Sequence, residues 1–183
     1  MRISKYLSYS QYNAYFTKQF VKRYLDGVKL YTPYVNFGKE IANRFEAGET
    51  FGIEVPEERE KFLKCQFGDV PLLGFLDGFS KYVIHEYKAT KNVWSQAIVD
   101  RAEQLTFYAI LVSENYNIPI DQIEIKLWCL ETEMKNGEIK LTGNVDKKET
   151  RRTNKDKLTI YPKMKEAWEG IGELCYNYFN KPL

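Results

Sequence analysis

The sequence has few of the residues that staple a small fold together. It contains a single histidine and three cysteines, and Cys65, Cys129 and Cys175 are too widely separated to form a paired metal-ligand motif. An odd number of dispersed cysteines is typical of a chain that folds in a reducing compartment without disulfide bonds. We therefore expect the 183 residues to fold on an apolar core alone.

Long apolar runs are also absent. No stretch approaches the ~20 apolar residues needed to cross a membrane, and the first ten residues hold no apolar segment typical of a signal peptide. Repeats, low-complexity tracts and flexible linkers are absent as well. These absences predict a cytoplasmic protein without membrane contact and a single domain over residues 1–183. We expect N-terminal helices in 1–50, a sheet and a long helix in 51–145, and a basic segment with a closing helix in 146–183.

The chain has no strong excess of charge of either sign. It has 27 lysine and arginine residues against 25 aspartate and glutamate residues, and the formal net charge is +2. Proteins committed to nucleic-acid binding usually carry a more concentrated positive field. The composition therefore permits nucleic-acid binding without indicating it, and any such claim depends on a particular site.

Helical and strand patterns follow one another along the chain. The capping-box spelling from Ser8 to Gln11 begins a predicted helix that runs to about Gly27. Apolar residues at helical spacing predict a long helix from about Val93 to Asn115. Two more helices are predicted over about Asn36–Ala47 and Pro162–Phe179, and strands over Lys61–Phe67, Leu72–Phe79, Tyr82–Ala89, Ile123–Thr132 and Glu138–Thr142. This order predicts an α/β fold with a mixed sheet flanked by helices.

Three charged residues lie among apolar residues in two of these strands. Asp77 ends one strand, and Glu86 and Lys88 lie two positions apart on the next. Alternation along a strand directs Glu86 and Lys88 to one face and Tyr87 to the other. If the two strands form a hairpin, Asp77 faces Glu86 across the ladder. Charges in an otherwise apolar strand are costly unless they are paired or bind a metal ion.

Such a group of charges has a plausible chemistry. Two carboxylates and a backbone carbonyl form a hard oxygen site that suits Mg²⁺ or Mn²⁺. Hydrolysis of a phosphodiester uses such an ion to activate water and shield the phosphate, and a nearby lysine to stabilise the transition state. The residues alone leave two interpretations equally open, a metal site and a structural ion pair.

Five segments, in order over most of the chain, carry a recognisable combination of motifs. They are Leu7–Gln11, Asn36–Glu46, Gly74–Asp77, Glu86–Lys88 and Gln104–Ala109. Together they resemble the PD-(D/E)XK nuclease superfamily, and within it the RecB-type branch that includes the CRISPR-associated adaptation nucleases. The resemblance implies a restriction-endonuclease-like core with a central mixed sheet.

The resemblance also implies a role for each motif residue. Asp77 and Glu86, with the Tyr87 carbonyl, would hold Mg²⁺ or Mn²⁺, and Lys88 would serve the attacking water. Gln104 and Tyr108 would orient the site or contact the phosphate backbone. Glu46 is a candidate additional acid that would reach the metal directly or through water.

Two departures from the family pattern affect the metal chemistry. RecB-type members usually have a metal-binding histidine where this chain has Ala42, so Glu40 or Glu46 is a candidate substitute. Alternation sends the only histidine, His85, away from Glu86, which predicts a packing role. Many relatives bind an iron–sulfur cluster, which needs about four cysteine ligands. With no cysteine in the first predicted helix and Cys175 alone near the end, we predict no iron–sulfur cluster here.

Four basic residues are candidates for DNA contact: Lys91, Arg101, Arg151 and Arg152. Each cation could add a salt-dependent contact to a phosphate. The alternative for the polar segment Asp146–Lys157, which holds the last two, is a solvated loop. Arg101 could instead pair with Asp100 or Glu103. Four aromatic residues of the first predicted helix could stack on single-stranded bases, although helical spacing is more typical of core residues: Tyr9, Tyr12, Phe16 and Phe20. Trp94 could touch DNA near the cut, but a core position is the favoured prediction for it.

The resemblance implies a Mg²⁺- or Mn²⁺-dependent deoxyribonuclease. Our first hypothesis is an exonuclease that acts on DNA ends in recombination, repair or phage-type DNA processing. The second is a structure-selective or CRISPR-adaptation-like endonuclease, and the third is an inactive scaffold of the same fold that binds DNA or protein. DNA would be the substrate, and a helicase or another recombination or CRISPR protein is a candidate partner.

Overall fold

The computed structural model of the chain describes residues 5–29 and 32–180. Within these ranges, strands β1 to β6 are Leu7–Ser8, Glu58–Phe67, Val70–Ser80, Val83–Thr90, Glu124–Lys135 and Glu138–Thr150. Helices α1 to α5 are Tyr9–Phe16, Pro33–Glu46, Gln96–Arg101, Glu103–Tyr116 and Asn154–Phe179. A π-helical turn, Val21–Leu25, follows α1, and a 3₁₀ turn, Ile120–Gln122, precedes β5.

The strands of the described residues form one mixed sheet in the order β1-β3-β4-β5-β6, with β2 paired to β3. β1 pairs with β3 and β4 with β5 in parallel, whereas the other pairs are antiparallel. A parallel pair needs a crossing connection, and α3 and α4 supply it between β4 and β5. This arrangement confirms the predicted α/β fold with a mixed sheet flanked by helices.

Helices cover the two faces of the sheet unequally. The Glu86 carboxylate accepts a hydrogen bond from Gln104 of α4, whereas the next residue, Tyr87, packs its ring on Phe45 of α2. Because successive strand residues point to opposite faces, α4 and α2 lie on opposite sides of the sheet. The larger apolar core lies with α1, α4 and α5, and a smaller cluster of Phe45, Ile53 and Trp128 lies under α2.

The predicted hairpins are present, and the observed strands extend beyond several of the predicted ends. β2 begins at Glu58 and β3 at Val70, each a few residues earlier than expected. Asn136 and Gly137 join β5 to β6, and both have positive φ, 54° and 80°. Positive φ at both central residues is the requirement of the two-residue type I′ turn, for which Asn-Gly is a preferred pair.

The first predicted helix is wrong in its length. The Ser8 capping box is formed, with Gln11 as its partner, but α1 ends at Phe16. Lys18 has a φ of 56°, a left-handed conformation that a helix cannot continue through. A separate π-helical turn follows and ends before Gly27, so the expected single helix is two pieces.

The predicted long helix is also divided, at Ala102. The backbone of this residue has a ψ of 108°, so α3 ends at Arg101 and α4 begins at Glu103. Because neither glycine nor proline lies at the break, the sequence has no helix-breaking residue that would have indicated it. Arg101 and Gln104, which the single predicted helix would have placed three residues apart on one face, therefore lie on different helices.

A buried arginine supports this break. The guanidinium of Arg152 donates to the carbonyls of Val99 and Ala102, at 2.8 and 3.3 Å, and to the hydroxyl of Thr106, at 2.8 Å. Its remaining N–H groups donate to Thr150 and to the Arg151 carbonyl, so all five donors have partners. Arg152 is 1% exposed and is not available to DNA, which corrects the expectation that it belongs to a DNA-binding surface.

The polar segment Asp146–Lys157, for which DNA contact and a solvated loop were the two alternatives, is mostly regular structure. β6 extends to Thr150, and its charges pair along the strand, Lys147 with Glu149 and Lys148 with Asp146. α5 begins at Asn154 behind a Thr153 capping box, eight residues before the predicted start at Pro162. Thr153 and Asp156 spell that capping box in the sequence, and the signal was missed.

At 26 residues, α5 is the longest helix in the described part of the chain. Neither α5 nor any other helix in these ranges combines the length and the apolar character needed to cross a membrane.

Replacing Arg152 by methionine should destabilise the fold, because several buried carbonyl and hydroxyl groups would lose their donor. We expect the free energy of unfolding to fall by about 2–4 kcal/mol, and the melting temperature by about 5–15 °C. Arg151→Met is the matched control, since this neighbouring side chain is 53% exposed and its ion pair with Glu124 contributes little. Equal melting temperatures for the two variants in a thermal scan would contradict the role given to Arg152.

Candidate active site

The candidate site lies in a notch at one edge of β3. β2 occupies the other edge from Val70 to Phe79. On the notched edge, β1 pairs with Leu72 and Leu73, and β4 pairs only with residues 78–80. Residues 74–77 therefore have no strand paired to them on this edge among the described residues, and side chains lie in the gap between β1 and β4.

Asp77 stands where the β3–β4 ladder ends. The last pair toward this end is Gly78 with His85, and the next step in the same register would join Asp77 to Glu86. Instead, the backbone N–H of Tyr87 donates to Asp77 Oδ2 at 2.9 Å. The Asp77 carboxylate is thus held directly by the strand that carries the other charged residues.

Glu86 is a carboxylate almost wholly removed from water, at 1% exposure. Its Oε1 accepts hydrogen bonds from Lys88 Nζ and, at 2.8 Å, from Gln104 Nε2. Its Oε2 is buried and has no hydrogen-bond partner among the described residues. A buried carboxylate oxygen without a partner is costly, so this atom is a natural position for a ligand.

The charges of the site act strongly on one another. Burial, and then the neighbouring Glu86 carboxylate, raise the pKa of Asp77 to about 8, although the Lys88 ammonium and the Tyr87 N–H act in the opposite direction. Burial lowers the pKa of Lys88, but the carboxylates of Glu86 and Asp77 raise it by more. The pKa of Lys88 is therefore above its ordinary value. Two adjacent carboxyl groups that cannot both ionise freely are a favourable place for a cation.

Two residues of α4 complete the polar contacts. Gln104 donates to Glu86 and also to the Tyr108 hydroxyl at 3.0 Å. α4 approaches β3 so closely here that a Cβ at position 74, which is Gly74, would lie 2.6 Å from Leu111 Cδ1. Gln104, Tyr108 and Leu111 are spaced four and three residues apart, so they share one face of α4. Glycine at position 74 therefore lets this face reach the notch.

Tyr9 belongs to the same group, although its sequence position did not assign it there. Burial raises the pKa of Tyr9, and the charges of Glu103, Lys88 and Glu86 also shift it. Lys88 and Glu86 belong to the site. Tyr9 is the first residue of α1 and directly follows β1, whose pairing with β3 brings it to the notch. A two-residue strand leaves no periodic signal in the sequence, so this placement could not be read from it.

Glu46 does not complete a metal centre in this structure. It is exposed at the end of α2 and lines, with Asp77 and Ala42, a cavity of about 150 Å³. No three His, Cys, Asp or Glu side chains of the described residues are grouped closely enough to hold a metal ion. Asp77 and Glu86 are the carboxylates that meet at the notch, and such a pair would fit Mg²⁺, which is often held by one or two carboxylates and keeps several waters.

The remaining candidate residues are the only histidine of the sequence, His85, and three basic residues. His85 is fully buried, in keeping with the predicted packing role, and neither ring nitrogen has a hydrogen-bond partner among the described residues. Lys91 and Arg101 are exposed, and neither forms a hydrogen bond or ion pair with the described part of the chain. Arg151 is exposed but bonds to Glu124 at 3.1 Å.

The fold of the chain resembles that of two solved structures. No protein-family model and no curated protein matches its sequence. The crystal structure of a "Putative exonuclease" from Eubacterium rectale aligns with a TM-score of 0.52 and 10% identity, over 98% of this chain and 86% of that one. A phage-related exonuclease from Haemophilus somnus aligns with a TM-score of 0.59 and 12% identity, over 91% and 82%. The mixed sheet flanked by helices is thus the fold of two proteins described as exonucleases.

Proposed function

We propose that this protein is a metal-dependent nuclease that hydrolyses DNA phosphodiester bonds. The observation that carries the proposal is the buried Oε2 of Glu86, which has no hydrogen-bond partner among the described residues and lies beside Asp77 and Lys88. A purely structural ion pair would be expected to satisfy both carboxylate oxygens. The fold shared with two proteins described as exonucleases supports the same proposal.

Asp77 and Glu86, with the main-chain carbonyl of Tyr87, are the residues that would hold Mg²⁺ or Mn²⁺. When bound, such an ion lowers the pKa of water and offsets the negative charge that develops on the phosphate. The Asp77 carboxylate is already held in place by the Tyr87 N–H, so the two acids are positioned before any ion arrives. Preorganised groups of this kind cost no rearrangement during the reaction.

Lys88 is the proposed cation of the catalytic group. Its ammonium contacts Glu86 Oε1 and lies on the same face of β4, where it can donate a hydrogen bond to the attacking water or to a phosphate oxygen. Gln104 holds the same Oε1 from α4, and Tyr108 holds Gln104. Both residues of α4 therefore act by fixing the direction of the Glu86 carboxylate.

Within this proposal, we favour exonuclease action on DNA ends. The support is the description of the two structural neighbours, together with the resemblance of the motifs to RecB-type nucleases. Recombination, repair and phage-type DNA processing are the settings in which such an activity would be used. A helicase or another DNA-processing protein would be the kind of partner that supplies the DNA end.

Removing the lysine should remove most of the cutting activity. Lys88→Met should lower metal-dependent cleavage of end-labelled DNA by at least about a hundredfold, because a preorganised positive charge is lost at the reacting phosphate. Lys140→Met is the matched control, since Lys140 is a half-exposed lysine of β6 that pairs only with Glu138. The assay uses linear and circular DNA with Mg²⁺, Mn²⁺ or EDTA, and sparing of circles would identify an exonuclease.

Two outcomes of this assay would contradict the proposal. If the wild-type protein cuts no DNA under any of these conditions, and calorimetry detects no binding of Mn²⁺, the metal-dependent activity is excluded. The fold would then act as a scaffold that binds DNA or protein. If cutting survives in Lys88→Met at the wild-type rate, the catalytic role of Lys88 is wrong.

Lys91 and Arg101 should contribute salt-dependent contacts to phosphates. Each replacement by alanine should weaken binding to labelled duplex DNA in EDTA and reduce the slope of log K against log salt by about 0.9 per lost contact. Arg151→Ala is the comparison, because its guanidinium already pairs with Glu124. Unchanged slopes in fluorescence anisotropy for Lys91→Ala and Arg101→Ala would remove these residues from the DNA-binding surface.

A further inference from the structure

An open cavity of about 380 Å³ lies beside the candidate site, where the start of α1 meets α3 and the start of α4. The rings of Tyr9 and Trp94 and the side chain of Ile98 line it, and Arg101 and Gln104 lie in the same wall. Ile98 is 53% exposed, which is unusual for a large apolar side chain that has a core nearby. The catalytic role proposed above uses only one of these residues, Gln104.

The side chain of Gln104 connects the cavity to the Glu86 carboxylate. Gln104 lines it and donates to Glu86 Oε1 at 2.8 Å. Tyr9 lines it as well, and it directly follows β1, whose pairing with β3 brings it to the notch. A nucleotide whose phosphate lies at Asp77, Glu86 and Lys88 would therefore have its base within reach of this cavity.

The wall has the chemistry of a stacking platform. Two aromatic residues and an isoleucine give the wall apolar surface, and no carboxylate is among the described residues that line the cavity. Aromatic side chains bind bases by their π faces without regard to sequence. Arg101 lies in the same wall, is exposed and has no ion-pair partner in the described ranges, so its guanidinium is available to the adjoining phosphate.

The other cavity next to Asp77 is a poorer place for DNA. It lies between α2 and the sheet, holds about 150 Å³, and has the carboxylates of Glu46 and Glu60 in its wall, which outnumber the cation of Arg59 there. Two acidic side chains would repel a phosphodiester strand. The contrast between the two walls favours the cavity at α3 as the side on which the strand lies.

We infer that the cavity lined by Tyr9, Trp94 and Ile98 binds one nucleobase of the DNA strand that is cut, next to the scissile phosphate. The inference rests on the proposed function, since it places the base relative to the catalytic residues. Because the contact is stacking, the site accepts all four bases and positions the strand without reading its sequence. Arg101 would hold the phosphate on the far side of that base.

The test compares ordinary DNA with DNA that has one abasic residue on either side of the first phosphate to be cut. In single-turnover cleavage by the wild-type protein, the abasic residue should slow cutting about ten- to a hundredfold at one of the two positions. Trp94→Ala should slow the cutting of ordinary DNA by a similar factor. It should suffer no further loss with abasic DNA, because the same contact is removed in both cases.

Two further variants protect the test against a simple loss of folding. Ile98→Ala changes a half-exposed residue, so it should fold normally and show a reduced abasic penalty. Tyr176→Ala, at an exposed aromatic residue of α5 far along the chain, should keep the full penalty. If the abasic penalty is the same in the wild type, Trp94→Ala and Ile98→Ala, the inference is overturned.

A binding measurement separates this inference from the nuclease proposal. DNA with 2-aminopurine at the same positions is titrated with the protein in EDTA, where no cutting takes place. Quenching that is lost in Trp94→Ala and Ile98→Ala supports a base in the cavity, even if the wild type cuts no DNA and the nuclease proposal fails. Absence of quenching at both positions, with DNA bound, rejects the cavity as a base site.

Discussion

Burial of the Glu86 carboxylate is the constraint on which the site depends. A carboxylate that has lost water must be compensated by positive charge and hydrogen bonds, or it will take up a proton. Lys88 and Gln104 supply part of that compensation to one oxygen, and they come from two different elements, β4 and α4. The second oxygen has no partner among the described residues, and Asp77 stands beside it with a raised pKa. A divalent cation would relieve both groups at once, and this is the physical basis of the proposed activity.

The direction of α4 decides whether this compensation is possible. Glu103, at the start of α4, accepts hydrogen bonds from Tyr12 of α1 at 2.8 Å and from Lys163 of α5 at 2.6 Å. On the other side of the break, Arg152 holds the end of α3 to the first turn of α4. Gln104 lies between these two anchors, and residues on both sides of the break line the cavity at α3. The polar contacts of the site and the proposed base pocket thus depend on the same bend.

The sequence was informative where short-range rules decide the structure. Alternation along β4 placed Glu86 and Lys88 on one face, and their apolar neighbours indicated that the charges had a purpose. The break at Ala102 could not be predicted, because its hydrogen bonds come from Arg152, fifty residues later. Tyr9 was considered only as one of several aromatic residues that could stack on bases, and its place beside Glu86 was not predicted, because that place depends on a two-residue strand that pairs with β3 far along the chain. β6 was shortened in the prediction because a strand with charged residues on both faces has no apolar period to recognise.

The charged character of β6 has a consequence for how the protein behaves at high concentration. In the described part of the chain, β6 is the outermost strand on its side of the sheet, and it is 13 residues long. A long outer strand offers unpaired N–H and C=O groups on which a second molecule could extend the sheet. Lysines and acidic residues along β6, and the left-handed Gly143 within it, disfavour such an extension, because a docking strand would have to cover charged side chains and would meet an interrupted edge. The features that made β6 hard to recognise as a strand are thus the ones that protect the protein from aggregation through its sheet.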